Sequence, residues 1–190
     1  MAGEAKRIVL LGAPGSGKGT QAALLADALG IPAISTGDML RAAVAAGSDL
    51  GRRVGSILNA GDLVDDATMA EVVTDRLAQA DAGPGFLLDG YPRTLAQADT
   101  LADVLVAAGQ RLDVVIQVDV PEAELVRRVL GRRREDDTEA VIRKRLSVYE
   151  ENTAPLIGYY QELGLLERVD GNQSIEEVSR AILGALEVAA

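Results

Sequence analysis

The chain has 190 residues, 48% of them hydrophobic, which suits a single domain over 1–190 with one sizeable core. It contains no cysteine and no histidine, which excludes disulfides, zinc sites made of thiolates or imidazoles, and catalysis by a cysteine nucleophile or a histidine base. Its 19 basic and 29 acidic residues give a net charge of -10, which argues against non-specific nucleic-acid binding and leaves carboxylates, lysine, arginine and backbone amides to carry any chemistry.

Short apolar runs alternate with longer helical patterns along the chain, which is typical of βαβ units around a parallel sheet. The predicted strands are 7–11, 32–35, 85–89, 114–119 and 166–170. The clearest predicted helices are 17–29, 94–107, 121–130, 137–160 and 175–188. Pro155 is expected to end or kink the fourth of these helices near 152–154, because proline lacks the N–H that a helix needs.

The charge distribution and the apolar runs indicate which partners the chain has. Eight of the 19 basic residues lie between Arg127 and Arg145, so an acidic protein concentrates positive charge in one segment, which suits a small, highly charged anion better than a polymer. The apolar runs are short and broken by charges, and no signal-peptide pattern is found. We therefore expect a soluble, cytoplasmic monomer that binds neither membrane nor nucleic acid.

The most specific motif is the run GAPGSGKGT at 12–20, which lies directly after the first predicted strand and opens the first helix. Its glycines let the backbone wrap an anion with N–H groups, and the helix N-terminus adds a partial positive charge. Lys18 can reach the terminal phosphates of a bound nucleotide. The alternative is an ordinary glycine-rich turn. Gly19 stands where the generic motif has Ser or Thr, which puts the usual hydroxyl ligand of the metal in doubt.

Asp89 ends the apolar strand 85–89 and could replace that missing ligand. An acid at the carboxyl end of a parallel strand can face a bound nucleotide and hold Mg²⁺ directly or through water. The alternative is that Asp89 only starts the turn 89–92.

Two further clusters, 35–41 and 90–97, each follow a predicted strand and open a helix. Taken singly, the first is equally consistent with a helix cap and the second with a proline-containing turn. Taken together, they place Arg41 and Arg93 at the carboxyl edge of the sheet, where a second phosphate could be clamped.

With the motifs GAPGSGKGT, STGDMLR and LDGYPR in this order, the chain resembles the adenylate kinases from Ile8 to about its C-terminus. The resemblance implies the fold of the P-loop nucleoside monophosphate kinases, an α/β fold whose five-stranded parallel sheet is flanked by helices. It also implies an acceptor-binding insert at 35–64 and a short lid at 131–137. ATP, AMP and ADP would be the substrates, with Mg²⁺ accompanying ATP. The short lid lacks the cysteine-based zinc site of longer bacterial members, so no zinc is expected.

The resemblance also assigns roles to particular residues. It assigns ATP binding to Gly15, Ser16, Gly17, Lys18, Gly19, Thr20, Arg128, Arg132 and Gly171. It assigns AMP binding to Thr36, Arg41, Asp62, Leu63, Val64, Gly90, Tyr91, Pro92, Arg93 and Gln97. It assigns contacts with the transferring phosphates to Arg134 and Arg145, and a catalytic role to these two with Lys18, Arg93 and Arg132. Asp38 and Asp89 would orient the water shell of the metal. For Arg127, Arg133 and Lys144 a solvated helix face is the preferred interpretation.

The implied reaction is direct in-line transfer of the γ-phosphoryl group of MgATP to AMP, which needs no nucleophile on the enzyme. One alternative is the same reaction on UMP or CMP, and Gln97 is the main reason to prefer AMP, since the pyrimidine kinases usually have Asn at that place. The other alternative is a nucleotide-binding switch. Against it, the chain lacks the Asn-Lys-x-Asp motif that reads guanine, and a switch has no use for the second phosphate site.

Overall fold

The computed structural model describes residues 6–131 and 138–188. Within them the strands form one sheet, all parallel, in the spatial order β2-β3-β1-β4-β5. The strands are β1 (Arg7–Leu11), β2 (Ala33–Ser35), β3 (Phe86–Asp89), β4 (Val114–Asp119) and β5 (Leu166–Asp170). The predicted five-stranded parallel α/β sheet is therefore confirmed, with strand ends that differ from the prediction by at most one residue.

Helices connect the strands. Those between β1 and β4 are α1 (Lys18–Leu29), α2 (Thr36–Ala45), α3 (Asp49–Ala60), α4 (Asp66–Leu77) and α5 (Leu95–Ala107). Those after β4 are α6 (Glu122–Gly131), α7 (Glu139–Val148), α8 (Pro155–Glu162) and α9 (Ile175–Val188). In the described part of the chain, no helix is both long and apolar enough to cross a membrane.

The predicted helix 137–160 is divided in the structure, although residue 137 itself lies outside the described residues. A π-helical turn, Tyr149–Thr153, separates α7 from α8, and Pro155 is the first residue of α8. Proline fits the first turn of a helix, where its missing N–H would have no intrahelical partner. The expected break near 152–154 is thus found, as a widened turn followed by a new helix.

The sheet is covered by helices on both faces, as parallel sheets generally are. Side chains alternate along β1, so that Val9 and Leu11 join one buried cluster while Ile8 and Leu10 join the other. The first cluster packs under α2, α3, α4, α5 and α8, and the second under α1, α6 and α9. The core thereby fixes the strand ends, and with them the loops that follow, relative to one another.

The predicted insert 35–64 corresponds to α2, α3 and the residues that flank them. The two helices pack so closely that a Cβ on Gly51 would clash with the carbonyl oxygen of Ala43. Of the predicted lid 131–137, the structure describes only Gly131, at the end of α6.

Candidate active site

A pocket of about 840 Å³ opens at the carboxyl edge of the sheet. It is lined by the loop after β1, the start of α2, the turn after β3 and the segment after β5. The predicted site residues that line it are Gly15, Ser16, Gly17, Lys18, Gly19, Thr20, Thr36, Asp38, Arg41, Asp62, Leu63, Val64, Asp89, Gly90, Pro92, Arg93, Gln97, Arg128, Arg145 and Gly171. Arg132 and Arg134 lie outside the described residues.

The loop between β1 and α1 depends on glycine for its conformation. Gly15 and Gly17 have φ values of 91° and 93°, which L side chains rarely adopt. A Cβ on Gly15 would also lie 2.6 Å from Cγ2 of Val129, so α6 leaves no room for a side chain there. A glycine loop of this kind before a helix N-terminus is a favourable site for phosphate, because the backbone N–H groups and the helix dipole both attract anions.

Lys18, the first residue of α1, folds its ammonium back over this loop. Its Nζ donates hydrogen bonds to the carbonyl oxygens of Gly12, at 2.6 Å, and Ala13, at 3.2 Å. These bonds keep a positive charge within the pocket, directly beside the loop.

The turn after β3 is held to the start of α2. Thr36 Oγ1 donates to the carbonyl oxygen of Gly90 at 2.9 Å, and Arg93 Nε donates to the same oxygen at 2.8 Å. Gly90 has a φ of 82°, and a Cβ there would lie 3.0 Å from Thr36 Oγ1. The backbone of Arg93 is held as well, because Thr153 Oγ1 donates to the Arg93 carbonyl at 2.9 Å.

Arginines from three distant parts of the chain meet beside this turn. Burial lowers the pKa of Arg93, the nearby positive charges of Arg145 and Arg41 lower that pKa further, and the Asp89 carboxylate acts in the opposite direction. Arg41 is also paired with Asp38, whose carboxylate oxygen lies 2.5 Å from Nη2. Partly buried arginines that repel one another form a suitable site for a phosphate dianion, which relieves the repulsion and accepts several charged hydrogen bonds.

The two predicted metal-orienting carboxylates, Asp89 and Asp38, both line the pocket. A Cβ on Gly19 would lie 3.5 Å from Oδ2 of Asp89, so this carboxylate lies against the first turn of α1. Asp38 lines the pocket from the first turn of α2, in its ion pair with Arg41. Mg²⁺ often binds proteins through one or two carboxylates, with water and substrate phosphates as its other ligands, and Asp89 beside the phosphate-type loop fits that pattern.

The far end of the pocket is formed by Gly171, just after β5. Its N–H donates to the carbonyl oxygen of Asp119 at 2.7 Å, and a Cβ there would lie 2.6 Å from methyl groups of Val118 and Val120. Arg128 Nη1 donates to the Gly171 carbonyl at 3.1 Å. Only glycine fits here, because any side chain would clash with β4 and the residue after it.

Tyr91 and Asp62 are placed differently from the other predicted AMP contacts. The Tyr91 side chain is buried and does not line the pocket; its hydroxyl donates to the Gln97 carbonyl at 3.1 Å, and burial raises its pKa to about 12. Asp62 lines the pocket but its carboxylate is paired with Lys144 Nζ at 2.8 Å. That pair connects α7 to the end of the predicted insert and raises the pKa of Lys144.

Comparison with known proteins gives the family. The family model described as "Adenylate kinase" matches residues 10–165. An adenylate kinase of Xanthomonas campestris pv. campestris (strain B100) is 53% identical over 184 residues, which cover 95% of this chain and 98% of the relative. An adenylate kinase of Thermobifida fusca (strain YX) is 50% identical over 184 residues, covering 95% of this chain and 97% of the relative. The chain belongs to the adenylate kinase family.

Family membership confirms the resemblance inferred from the motifs and the predicted fold class. The roles of individual residues stay predictions, including those of Arg132 and Arg134. Sequence analysis missed three residues that hold the site of this adenylate kinase homologue together: Glu124, Thr153 and Asp66. Only Glu124 gave a signal, because it precedes Arg127 and Arg128 by three and four residues on one helix.

Glu124 holds two arginines at the edge of the pocket. Its Oε1 lies 2.7 Å from Nη2 of Arg127 and 2.6 Å from Nε of Arg128. Hydrogen bonds from Arg127 and Arg128 lower the pKa of Glu124 from 4.5 to about 2, and the bond from Arg127 has the larger effect. A carboxyl whose pKa is lower in the folded state stabilises the fold above its unfolded pKa, and this contribution is lost as the pH falls toward the folded pKa.

Glu124→Gln is therefore expected to lower the melting temperature at neutral pH, and the difference from the wild type should shrink as the pH falls from 4.5 toward about 2. Thermal denaturation of both proteins across a pH series measures this difference. Glu122→Gln, at the exposed start of the same helix, is the matched control for loss of one negative charge. A Glu124→Gln deficit that stays constant down to acidic pH would contradict the role of the charge.

Proposed function

We propose that this chain transfers the γ-phosphoryl group of MgATP to AMP by direct in-line displacement, reversibly and with ADP as both products. Family membership supports the reaction, and one structural observation carries the assignment to this pocket. A single cavity is lined both by the glycine loop with Lys18 and by the three arginines Arg41, Arg93 and Arg145. Two phosphate-type sites in one cavity suit two nucleotides bound side by side.

On the ATP side, the loop that contains Gly15 and Gly17 holds the phosphates with its backbone amides, and Lys18 exchanges its two carbonyl partners for phosphate oxygens. The adenine ring lies beside Gly171, which lines the pocket, and Arg128 reaches from the Gly171 carbonyl toward the phosphates. Asp89 and Asp38 would orient the water ligands of Mg²⁺, which would neutralise phosphate charge when bound with ATP.

On the AMP side, Arg41 and Arg93 bind the phosphate, and Arg145 lies between this group and the transferring phosphoryl. Their convergence is supported by the effect of Arg145 and Arg41 on the pKa of Arg93. The base lies against Gln97, Thr36 and the backbone of 62–64, all of which line the same pocket. The insert 35–64 thus carries much of the AMP site.

In the chemical step, an oxygen of the AMP phosphate forms a bond to the γ-phosphorus while the bond from that phosphorus to the bridging oxygen of ADP breaks. No group on the protein is modified, which suits a chain without cysteine or histidine. Lys18, Arg93 and Arg145 stabilise the charge on the transferring group, together with Arg132 and Arg134 of the lid. We further propose that the lid, 131–137, closes over the phosphates and keeps water from accepting the phosphoryl group.

A cytoplasmic monomer without zinc stays a prediction from the sequence.

Lys18→Ala should retain less than about a tenth of wild-type kcat, a loss of at least about 1.4 kcal/mol of transition-state stabilisation. The fold should persist, because the Lys18 ammonium contacts the loop and not the core. Lys6→Ala is the control, since Lys6 Nζ bonds to the Leu186 carbonyl away from the pocket. Steady-state rates and circular dichroism on the three proteins measure both effects. A folded Lys18→Ala enzyme with most of its turnover intact would remove Lys18 from the mechanism.

A screen of the four ribonucleoside monophosphates with MgATP tests the choice of acceptor. We expect AMP to exceed CMP and UMP by at least about tenfold in kcat/KM, because a buried amide left unmatched by the wrong base costs about 1 to 3 kcal/mol. We expect AMP to exceed GMP as well, through contacts other than Gln97 alone, with Thr36 and the backbone of 62–64 as the candidates. Preference for CMP or UMP would instead make the chain a pyrimidine nucleotide kinase. Slow hydrolysis of nucleoside triphosphate without consumption of any monophosphate would indicate a switch protein.

A further inference from the structure

Gln97 is buried, and hydrogen bonds within the protein hold both its backbone and its side-chain amide. The residue is 2% exposed, and its backbone N–H donates to Thr94 Oγ1 at 3.1 Å while its carbonyl accepts from the Tyr91 hydroxyl at 3.1 Å. Its side-chain Oε1 accepts from the backbone N–H of Arg93 at 2.8 Å. Its Nε2 donates to Oδ1 of Asp66 at 2.8 Å. Both ends of the amide therefore have a partner of fixed hydrogen-bonding character.

These two partners permit only one orientation of the amide. A backbone N–H can only donate, and an ionised carboxylate can only accept. Turning the Gln97 amide by half a turn would place its NH₂ against the N–H of Arg93 and its oxygen against the carboxylate of Asp66. Both contacts would then be repulsive, which costs more than the simple loss of two hydrogen bonds.

We propose that Asp66 is a positioning residue that sets base specificity: by fixing the Gln97 amide, it admits a 6-aminopurine nucleotide and rejects a 6-oxopurine nucleotide. The inference deepens the proposed function and rests on it, since it concerns the acceptor site of the same pocket. Gln97 alone would not distinguish the two classes of purine, because a freely turning amide could hydrogen-bond to either. Asp66 supplies this discrimination.

The chemistry of the two purine edges explains the selection. A carboxamide has two N–H donors and two acceptor positions, so the bonds to Arg93 and Asp66 leave one of each on Gln97. Adenine offers an acceptor at N1 and a donor at its 6-amino group, which match that remaining pair. Guanine and hypoxanthine offer a donor at N1 and an acceptor at O6, the reverse arrangement. With the amide fixed, a 6-oxopurine places donor against donor and acceptor against acceptor.

The position of Asp66 makes this role independent of the core. Asp66 is the exposed first residue of α4, and its Oδ1 also accepts from Thr94 Oγ1 at 3.1 Å. Thr94 in turn caps α5 and receives the Gln97 N–H. The N-termini of α4 and α5 are thereby joined through one carboxylate oxygen. An asparagine at position 66 could present either an oxygen or an NH₂ to Gln97, and so would no longer enforce one orientation.

The test compares AMP with inosine monophosphate, which differs from AMP only in its 6-oxo group and the N1 proton that accompanies it. In Asp66→Asn, we expect the ratio of kcat/KM for AMP to kcat/KM for inosine monophosphate to fall by about tenfold, chiefly because inosine monophosphate improves. Arg93 still restrains Oε1, so some preference for AMP remains. If Asp66 only linked two helices, its loss would lower both activities together and leave the ratio unchanged.

Asp65→Asn is the matched control. It removes the same charge one residue earlier, and asparagine replaces the aspartate cap that receives the Thr68 N–H at 2.8 Å. The ratio of kcat/KM for AMP to kcat/KM for inosine monophosphate in Asp65→Asn should equal that of the wild type. An equal fall of this ratio in Asp65→Asn and Asp66→Asn would overturn the proposal. Melting temperatures establish that each variant is folded, and Asp66→Ser is the substitute should Asp66→Asn not fold.

Gln97→Leu separates the inference from the proposed function. If the wild type does not phosphorylate AMP, the proposed function fails. If AMP is the acceptor and Gln97→Leu reduces the ratio while folded Asp66→Asn does not, Gln97 reads the base without help from Asp66 and the present proposal is wrong. A fall of the AMP to inosine monophosphate ratio in both Gln97→Leu and Asp66→Asn, with no change of this ratio in Asp65→Asn, supports the role of Asp66.

Discussion

Parallel pairing of the strands is the constraint on which the rest of the molecule depends. β1 pairs with both β3 and β4, and β3 pairs with β2, so the carboxyl ends of these strands meet at one edge. The glycine loop follows β1, α2 follows β2, and the turn that contains Arg93 follows β3. Segments that are distant in the sequence thereby line one pocket, and the buried layers on both faces keep their relative positions fixed.

The pocket concentrates positive charge within a protein whose net charge is -10. Several of its cations are held by partners of the protein itself: Lys18 by loop carbonyls, Arg41 by Asp38, and Arg128 by Glu124 and Gly171. Burial lowers the pKa of Arg93, and the repulsion from Arg145 and Arg41 lowers it further against the opposing effect of the Asp89 carboxylate. Nucleotide phosphates would relieve that repulsion. Because the fold already holds these positive charges together, relief of the repulsion would contribute to the free energy of binding.

The sequence predicted well what depends on local pattern and poorly what depends on contacts between distant residues. Strand ends and the glycine loop follow from alternation, glycine spacing and the helix that comes next. The bond from Asp66 to Gln97 joins residues 31 positions apart, and nothing in the composition of either segment indicates it. Tyr91 stays a predicted AMP contact, but the motif did not indicate that its side chain is buried with its hydroxyl on the Gln97 carbonyl, because motif membership does not fix the direction of a side chain.

The central claim is that one cavity holds two nucleotides at once. Calorimetry with two adenosines joined by five phosphates tests it most directly, because such a molecule fills both sites in a single association. We expect one molecule bound per chain, with an affinity at least about a hundredfold above that of ATP. Equal affinities for this compound and for ATP, or two molecules bound per chain, would show that the cavity does not hold two nucleotides at once.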